Sequence, residues 1–265
     1  NARRNLEAEV GNCNFDEVRE SARTKWNEVL GRIRVKGGTE SDRTRFYTAL
    51  YHALLHPNLL SDVSGEYPTM ERGDIAVCRE GERYTVFSLW DTYRNLHQLL
   101  TLVYPECQSD MLRSMVEMSK EWGWLPRWEL YGRETYTMEG DPAIPVIVDS
   151  YLKGLRDFDV EAAYEAMRRS ATTRGESNPI RPDIDPYIED GYIPVGWFAQ
   201  DMSGDNSVSH ALEYYVADNA LAVYAREMGD EAFAEELERR AAGWKNYYCK
   251  EYGVLRPICK DGSFI

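Results

Sequence analysis

No stretch of these 265 residues stays apolar for the roughly 18 positions a membrane-spanning helix needs, so no such span is expected. Positive charge is scarce. Lys and Arg number 31 against 45 Asp and Glu, a formal net charge of −14. That surplus of acid argues against nucleic acid or an anionic membrane surface as a partner. Cysteine is sparse and unpatterned. Cys13, Cys78, Cys107, Cys249 and Cys259 show neither zinc nor redox spacing, and an odd number leaves at least one thiol unpaired. Separate, inert thiols are favoured over a bridge from Cys249 to Cys259. The sequence has no glycine-rich phosphate loop, serine elbow, EF-hand loop, internal repeat or low-complexity tract. It opens at Asn1 without Met or a signal peptide, which reads as a removed leader or a piece of a longer protein.

The period that is present is helical. Asn14 and Glu17 form a capping box ahead of Val18, Ala22, Trp26, Val29 and Ile33, one apolar stripe. Further helices are expected over 42–55 (Phe46, Ala49, Leu50 and Ala53 inward), 92–103, from Pro105 onward, 142–152 with Asp141 as cap, around 160–167, 207–228 and 231–248. Between them, 61–84 is loop with a hairpin pairing 75–77 with 84–87. Residues 174–205, rich in Pro, Gly and Asp, form a long excursion.

These helices are of two kinds. The one over 207–228 is apolar nearly all round (Ala211, Leu212, Tyr214, Tyr215, Val216, Ala217, Ala220, Leu221, Val223), as is the one holding Ile144, Val146, Ile147 and Val148. The last helix is one-sided, with Phe233, Leu237, Ala241, Trp244 and Tyr248 in a stripe. A helix apolar all round must be buried and a one-sided helix covers it. Alternation of the two kinds predicts an all-α fold, a toroid of helical hairpins in two rings, with a plain bundle as the alternative. The segment Ile258–Ile265 ends just past an Asp-Gly turn signal and reads as an interruption.

Four clusters carry candidate chemistry. Glu121–Thr135 packs Trp122, Trp124 and Trp128 among carboxylates, broken by Gly and Pro. Aromatic faces beside carboxylates suit a sugar, rings covering its C–H face and carboxylates taking its hydroxyls; a loop pinned by its own aromatics is the plainer option. Glu129 and Glu134 offer paired carboxylates of the kind glycoside hydrolysis uses, or structural or sugar-binding ones. In Trp90-Asp91-Thr92-Tyr93-Arg94, Asp91 is either a helix cap or a ligand for hydroxyls, and Arg94 either contacts ligand or pairs with a nearby acid. Glu213, set in an apolar helix, needs a partner and is either a structural network member, the favoured reading, or a ligand contact. His52 and His56 have a metal-compatible spacing but lack the Glu of a zinc-protease motif.

Several segments resemble glycoside hydrolase family 92, the exo-acting α-mannosidases: Phe46–His52 with His56-Pro57-Asn58, Ser88–Arg94, Gly123–Pro126 with Trp128-Glu129-Leu130, Glu134-Thr135 with Met138, and Leu212-Glu213-Tyr214. The resemblance implies an (α/α)6-type toroid, incomplete in this chain. Residues 1–40 would be a linker or leading helix and 41–265 part of the catalytic domain. An N-terminal β-sandwich and the remainder of the toroid would lie outside. It implies calcium-assisted removal of terminal α-linked mannose with inversion, acting on a mannose-containing glycan at a secreted, periplasmic or cell-surface location. It casts Asp91 as the aspartate that holds the terminal mannose, with Trp90 and Arg94 beside it and Trp128, Glu129 and Glu134 as pocket wall. No catalytic acid, base or calcium ligand is assigned to these residues. Where the family often has Asp-Asp-Trp after Leu-Glu-Tyr, Ala217-Asp218-Asn219 stands here. A non-catalytic carbohydrate-binding or scaffold protein, or another (α/α)6 glycosidase, is the alternative.

Overall fold

Local chemistry sets where the helices begin and end. The computed structural model describes residues 1–197 and 206–265. Its α-helices are α1 (Ala2–Glu9), α2 (Phe15–Leu30), α3 (Glu40–Ala53), α4 (Leu89–Thr92), α5 (Leu96–Val103), α6 (Pro105–Trp122), α7 (Ala143–Leu152), α8 (Val160–Thr172), α9 (Ile184–Glu189), α10 (Ser207–Glu227) and α11 (Glu231–Ala241). The expected box starts α2: Asn14 accepts from the Glu17 N–H at 3.1 Å, and the Glu17 carboxylate accepts the Asn14 N–H at 2.8 Å. Thr39 and Asp42 start α3 in the same way. Pro105 sits in the first turn of α6, where its missing N–H is harmless, and Gly123 ends that helix at φ +106°.

The two kinds of helix take the two positions their patterns require. Helices α5, α7 and α10 pack against one another in sequence, while α6, α8 and α11 lie outside them, with α5–α6 and α10–α11 as hairpins. Ile144, Ile147, Leu221 and Ala222 on the inner helices have no exposure, nor do Leu112, Met115, Met167 and Leu237 on the outer ones. All belong to one apolar core. This is the all-α, toroid-type arrangement of helical hairpins. Among the described residues no helix is long and apolar enough to cross a membrane.

Short strands fill the connections: β1 (Asn58–Leu59) with β4 (Tyr84–Thr85), β2 (Glu66–Pro68) with β3 (Ile75–Val77), β5 (Phe87–Ser88) with β6 (Trp128–Leu130) and β7 (Arg133–Glu134), and β8 (Tyr248–Cys249) with β9 (Val254–Leu255). The hairpin expected between 75–77 and 84–87 therefore does not form. Arg83 inserts into the core, where it reaches Glu121 at 2.9 Å and the Ser114 carbonyl, and Ser114 accepts the Tyr84 N–H. These bonds hold β4 on α6 and leave β3 to β2.

Other expectations shift for equally local reasons. The helix expected over 92–103 breaks at Asn95, whose φ of −158° is not helical, and the Gln98 amide seals the break by donating to the Tyr93 carbonyl. On α3 only Leu50 is buried; Phe46 and Ala49 face outward. Asp141 does not cap α7, because its carboxylate is taken by Arg181 and Ser170. After Ala241 the chain tightens to a 3-10 turn, which rotates the stripe: Tyr247 and Cys249 are buried, whereas Trp244 and Tyr248 are exposed. The 174–205 excursion contains α9 and a 3-10 turn at Gly175–Ser177; residues 198–205 lie outside the described residues. All five cysteines are free.

Candidate functional site

The three-stranded antiparallel sheet joins the two segments that carry the candidate residues. Ser88 pairs with Trp128, Phe87 with Glu129, and Glu129 with Glu134. Ser88 is followed at once by the single turn α4, so the pairing brings the aromatic loop to the base of Trp90 and Asp91. The Leu89 N–H, donated to the Arg127 carbonyl at 3.1 Å, adds a second tie.

Asp91 lies inside α4, three residues after the Ser88 cap position, and is not the cap. Its side chain is exposed and makes no hydrogen bond or ion pair with the described residues. Trp90 and Trp128 are half-buried, and the buried Trp90 indole N–H has no acceptor among the described residues. Arg94 stacks over Trp90 at 4.6 Å and Tyr93 at 4.8 Å. It also pairs with Glu213 at 2.8 Å, the nearby acid foreseen for it. Glu213 takes the Tyr93 hydroxyl at 2.7 Å as well, and with burial this pushes the Tyr93 phenol up. Gly140 completes this junction. A Cβ there would lie 2.5 Å from the Glu213 Cβ, so only glycine lets the loop pass this close to α10. Glu213 thus ties α4, the loop and α10 together, in keeping with the structural role read from its apolar surroundings.

Glu129 and Glu134 brace the loop from inside. Glu129 has no exposure and accepts from the Thr85 hydroxyl at 2.7 Å, the Val86 N–H at 3.0 Å and the Gly132 N–H at 2.5 Å. Burial pushes its carboxyl upward, and those hydrogen bonds act in the other direction. Glu134 accepts the backbone N–H groups of Arg127 (2.8 Å), Trp128 (3.0 Å) and Tyr136 (3.0 Å). Both carboxylates spend their acceptor capacity inside the protein, Glu134 on its own loop's backbone and Glu129 on Gly132, Val86 and the Thr85 hydroxyl, rather than in open space. The loop they hold is conformationally costly. Tyr131, Tyr136 and Met138 on it have left-handed backbones, with φ of 51°, 57° and 61°, as does Val86 between β4 and β5 at 64°. Each such non-glycine residue costs about 1–2 kcal/mol. Strain of this kind persists only where the surroundings over-determine the conformation. Tyr136 and Met138 gave no sign of this in sequence, because neither residue type favours φ > 0.

His52 and His56 are not brought together as ligands: α3 ends at Ala53, His52 is exposed, and His56 turns to Asn58 at 2.7 Å. Among the described residues no group of three or more His, Cys, Asp or Glu is placed to hold a metal ion. A cleft of about 880 Å³ lies elsewhere, between β3 and α6, and includes none of the expected site residues. Its Arg83, Arg113 and Asp159 are already paired, with Glu121, Asp157 and Lys120.

Comparison with known proteins covers the whole chain. Residues 1–265 match the family model described as the glycosyl hydrolase family 92 catalytic domain. An inverting mannosidase of that family from Bacteroides thetaiotaomicron superposes with a TM-score of 0.91 at 28% identity over 100% of this chain and 35% of its own. An α-mannosidase from the same bacterium, solved in complex with mannoimidazole, gives 0.89 at 32% identity over 100% of this chain and 33% of its own. A curated relative from Arthroderma benhamiae, called an uncharacterized secreted glycosidase, is 27% identical over 92% of this chain and 28% of its own length. The chain thus spans about a third of the length of the relatives it matches.

Proposed function

The chain belongs to glycoside hydrolase family 92, and from that premise we propose that it forms part of an exo-acting α-mannosidase that removes terminal α-linked mannose with inversion. The observation that carries this reading is Asp91. It is an exposed carboxylate without a partner, on a turn tied to the sheet and, through Arg94, to Glu213, next to half-buried Trp90 and one strand pairing away from half-buried Trp128. A carboxylate held so accepts hydrogen bonds from sugar hydroxyls, and the indole faces of Trp90 and Trp128 cover the C–H surface of the ring. Arg94, stacked on Trp90, holds that ring in place. Glu129 and Glu134, buried and saturated, act through the loop they brace. The neighbours' descriptions support a mannoside substrate and, for one of them, inversion.

The acid and base of an inverting hydrolysis act from opposite faces of the sugar. We assign neither to this chain. Calcium has no fitting donor set among the described residues, so no step is derived through it; its ligands are proposed to come from outside this chain. A secreted, periplasmic or cell-surface location is in keeping with the substrate and with the name of the fungal relative.

Asp91→Ala in the intact enzyme tests the reading. Turnover of an aryl α-mannoside is expected to fall by about two orders of magnitude or more, the loss of charge-assisted bonds to hydroxyls. The melting temperature should be unchanged, because nothing in the fold leans on the side chain. Near-normal turnover would remove Asp91 from the site.

A further inference from the structure

Exposure rises along the segments that carry the candidate residues. Phe87 and Leu89 have no exposure, Trp90 and Trp128 are half-buried, and Tyr136 and Met138 stand 50% and 44% exposed on the segment between β7 and α7, which starts beside Trp128 and passes Glu213 at Gly140. Tyr136 is pinned from both sides. Its N–H is held by buried Glu134 at 3.0 Å, and its carbonyl accepts from buried Arg127 at 2.9 Å. Thr135, the residue before it, is tied back to the Trp128 carbonyl at 2.8 Å. Two buried charged groups therefore hold a tyrosine in a left-handed conformation that its side chain disfavours, with the ring directed outward. A glycine would relieve the strain at no steric cost, so the ring is the feature that the strained backbone presents.

We propose that Tyr136 is a specificity-determining residue: its ring, with Met138 two residues on, packs against the sugar that mannose is attached to. This rests on the α-mannosidase reading. In an exo-acting enzyme the terminal sugar takes the deeper position, beside Asp91 and the half-buried tryptophans. The sugar that leaves occupies the rim. An exposed aromatic ring and a polarisable thioether suit a pyranose face without requiring a fixed pattern of hydroxyls.

The test uses two substrates with the intact enzyme: an α-linked mannobiose, whose leaving group is a sugar ring, and α-mannosyl fluoride, whose leaving group has none. Tyr136→Gly and Tyr136→Asn both accept a left-handed backbone and remove the ring, so at least one folded variant is expected. For either, kcat/KM on mannobiose should fall roughly tenfold, while kcat/KM on the fluoride stays within about twofold of wild type. Tyr136→Phe should behave as wild type on both. Tyr131→Gly is the control. It removes another exposed left-handed tyrosine, at the β6–β7 turn beside Thr69, and should change neither substrate selectively. An equal fall on both substrates, or no fall on mannobiose, overturns the proposal. A wild-type enzyme that turns over neither substrate overturns the α-mannosidase reading on which it rests.

Discussion

Glu134 gives the sharpest test of how the candidate site is held. Its carboxylate accepts three separate backbone N–H groups, from Arg127, Trp128 and Tyr136, and the residue is only 6% exposed. Replacement by alanine leaves those donors without an acceptor. An orphaned buried donor costs about 1–3 kcal/mol, and three that share one acceptor do not add fully. The expected destabilisation for Glu134→Ala is therefore about 3–5 kcal/mol. Glu134→Gln retains one carbonyl oxygen but turns an amide N–H₂ toward the donors, and should cost roughly 1–2 kcal/mol. The order alanine worse than glutamine is part of the expectation. Urea unfolding of the intact protein measures the stabilities, and hydrolysis of an aryl α-mannoside under folding conditions follows the site. Glu134→Ala should lose both stability and turnover. Asp91→Ala, with no partner to lose, should keep its stability within about 0.5 kcal/mol. A Glu134→Ala protein destabilised by less than about 1 kcal/mol would refute the bracing role, because the backbone donors would then have found other acceptors.

The buried His97, between Gln108 and Thr92 at 3.0 Å each, has its imidazole pushed down to about 4 by desolvation, from an ordinary 6.5. Below pH 6.5 the unfolded chain binds this proton more readily than the folded one, so the stabilisation from neutral His97 is complete above 6.5 and is lost as pH falls toward 4. Relative to His97→Gln, wild type should lose roughly 2–3 kcal/mol between pH 7 and pH 4.5 by urea unfolding; parallel pH profiles would count against it. Gly140→Ala sets a Cβ against Glu213 at φ +82° and should cost about 3 kcal/mol by thermal or urea unfolding while raising KM, since the junction at Arg94 opens. Unchanged stability and KM would mean that loop and α10 separate without consequence. Excess chelator should abolish hydrolysis by the intact enzyme, and full activity in its presence would remove calcium from the proposal.

Much of the helical layout was legible because helix burial is a local signal. The stripe Met111, Leu112, Met115 and Met118 on α6 repeats at the helical period and is wholly buried. The nearly all-apolar α10 packs on α7 and buries most of its surface, although Val216 and Val223, counted with its apolar face, are exposed. The Asn14–Glu17 box is written within four residues and formed as written. The expected pairing of 75–77 with 84–87 failed because nothing near those strands announces that Arg83 is drawn to Glu121, 38 residues away. Trp244 and Tyr248 left the stripe because a 3-10 turn changes the period by a fraction of a residue, below what side-chain spacing resolves.

The candidate site divides in the same way. The motif around Trp90-Asp91 and the aromatic loop were visible as residue types, and the sequence alone placed the chain in its family and its helices in two layers. Which carboxylate faces a ligand was a tertiary matter. Asp91, Glu129, Glu134 and Asp141 are chemically alike, and their surroundings separate them: Asp91 stands free, Glu129 and Glu134 hold backbone amides, and Asp141 meets Arg181 and Ser170. Hydrophobic periodicity is fixed by a backbone repeat that any short window contains. The fate of a charge depends on partners that only the folded chain brings within about 3 Å.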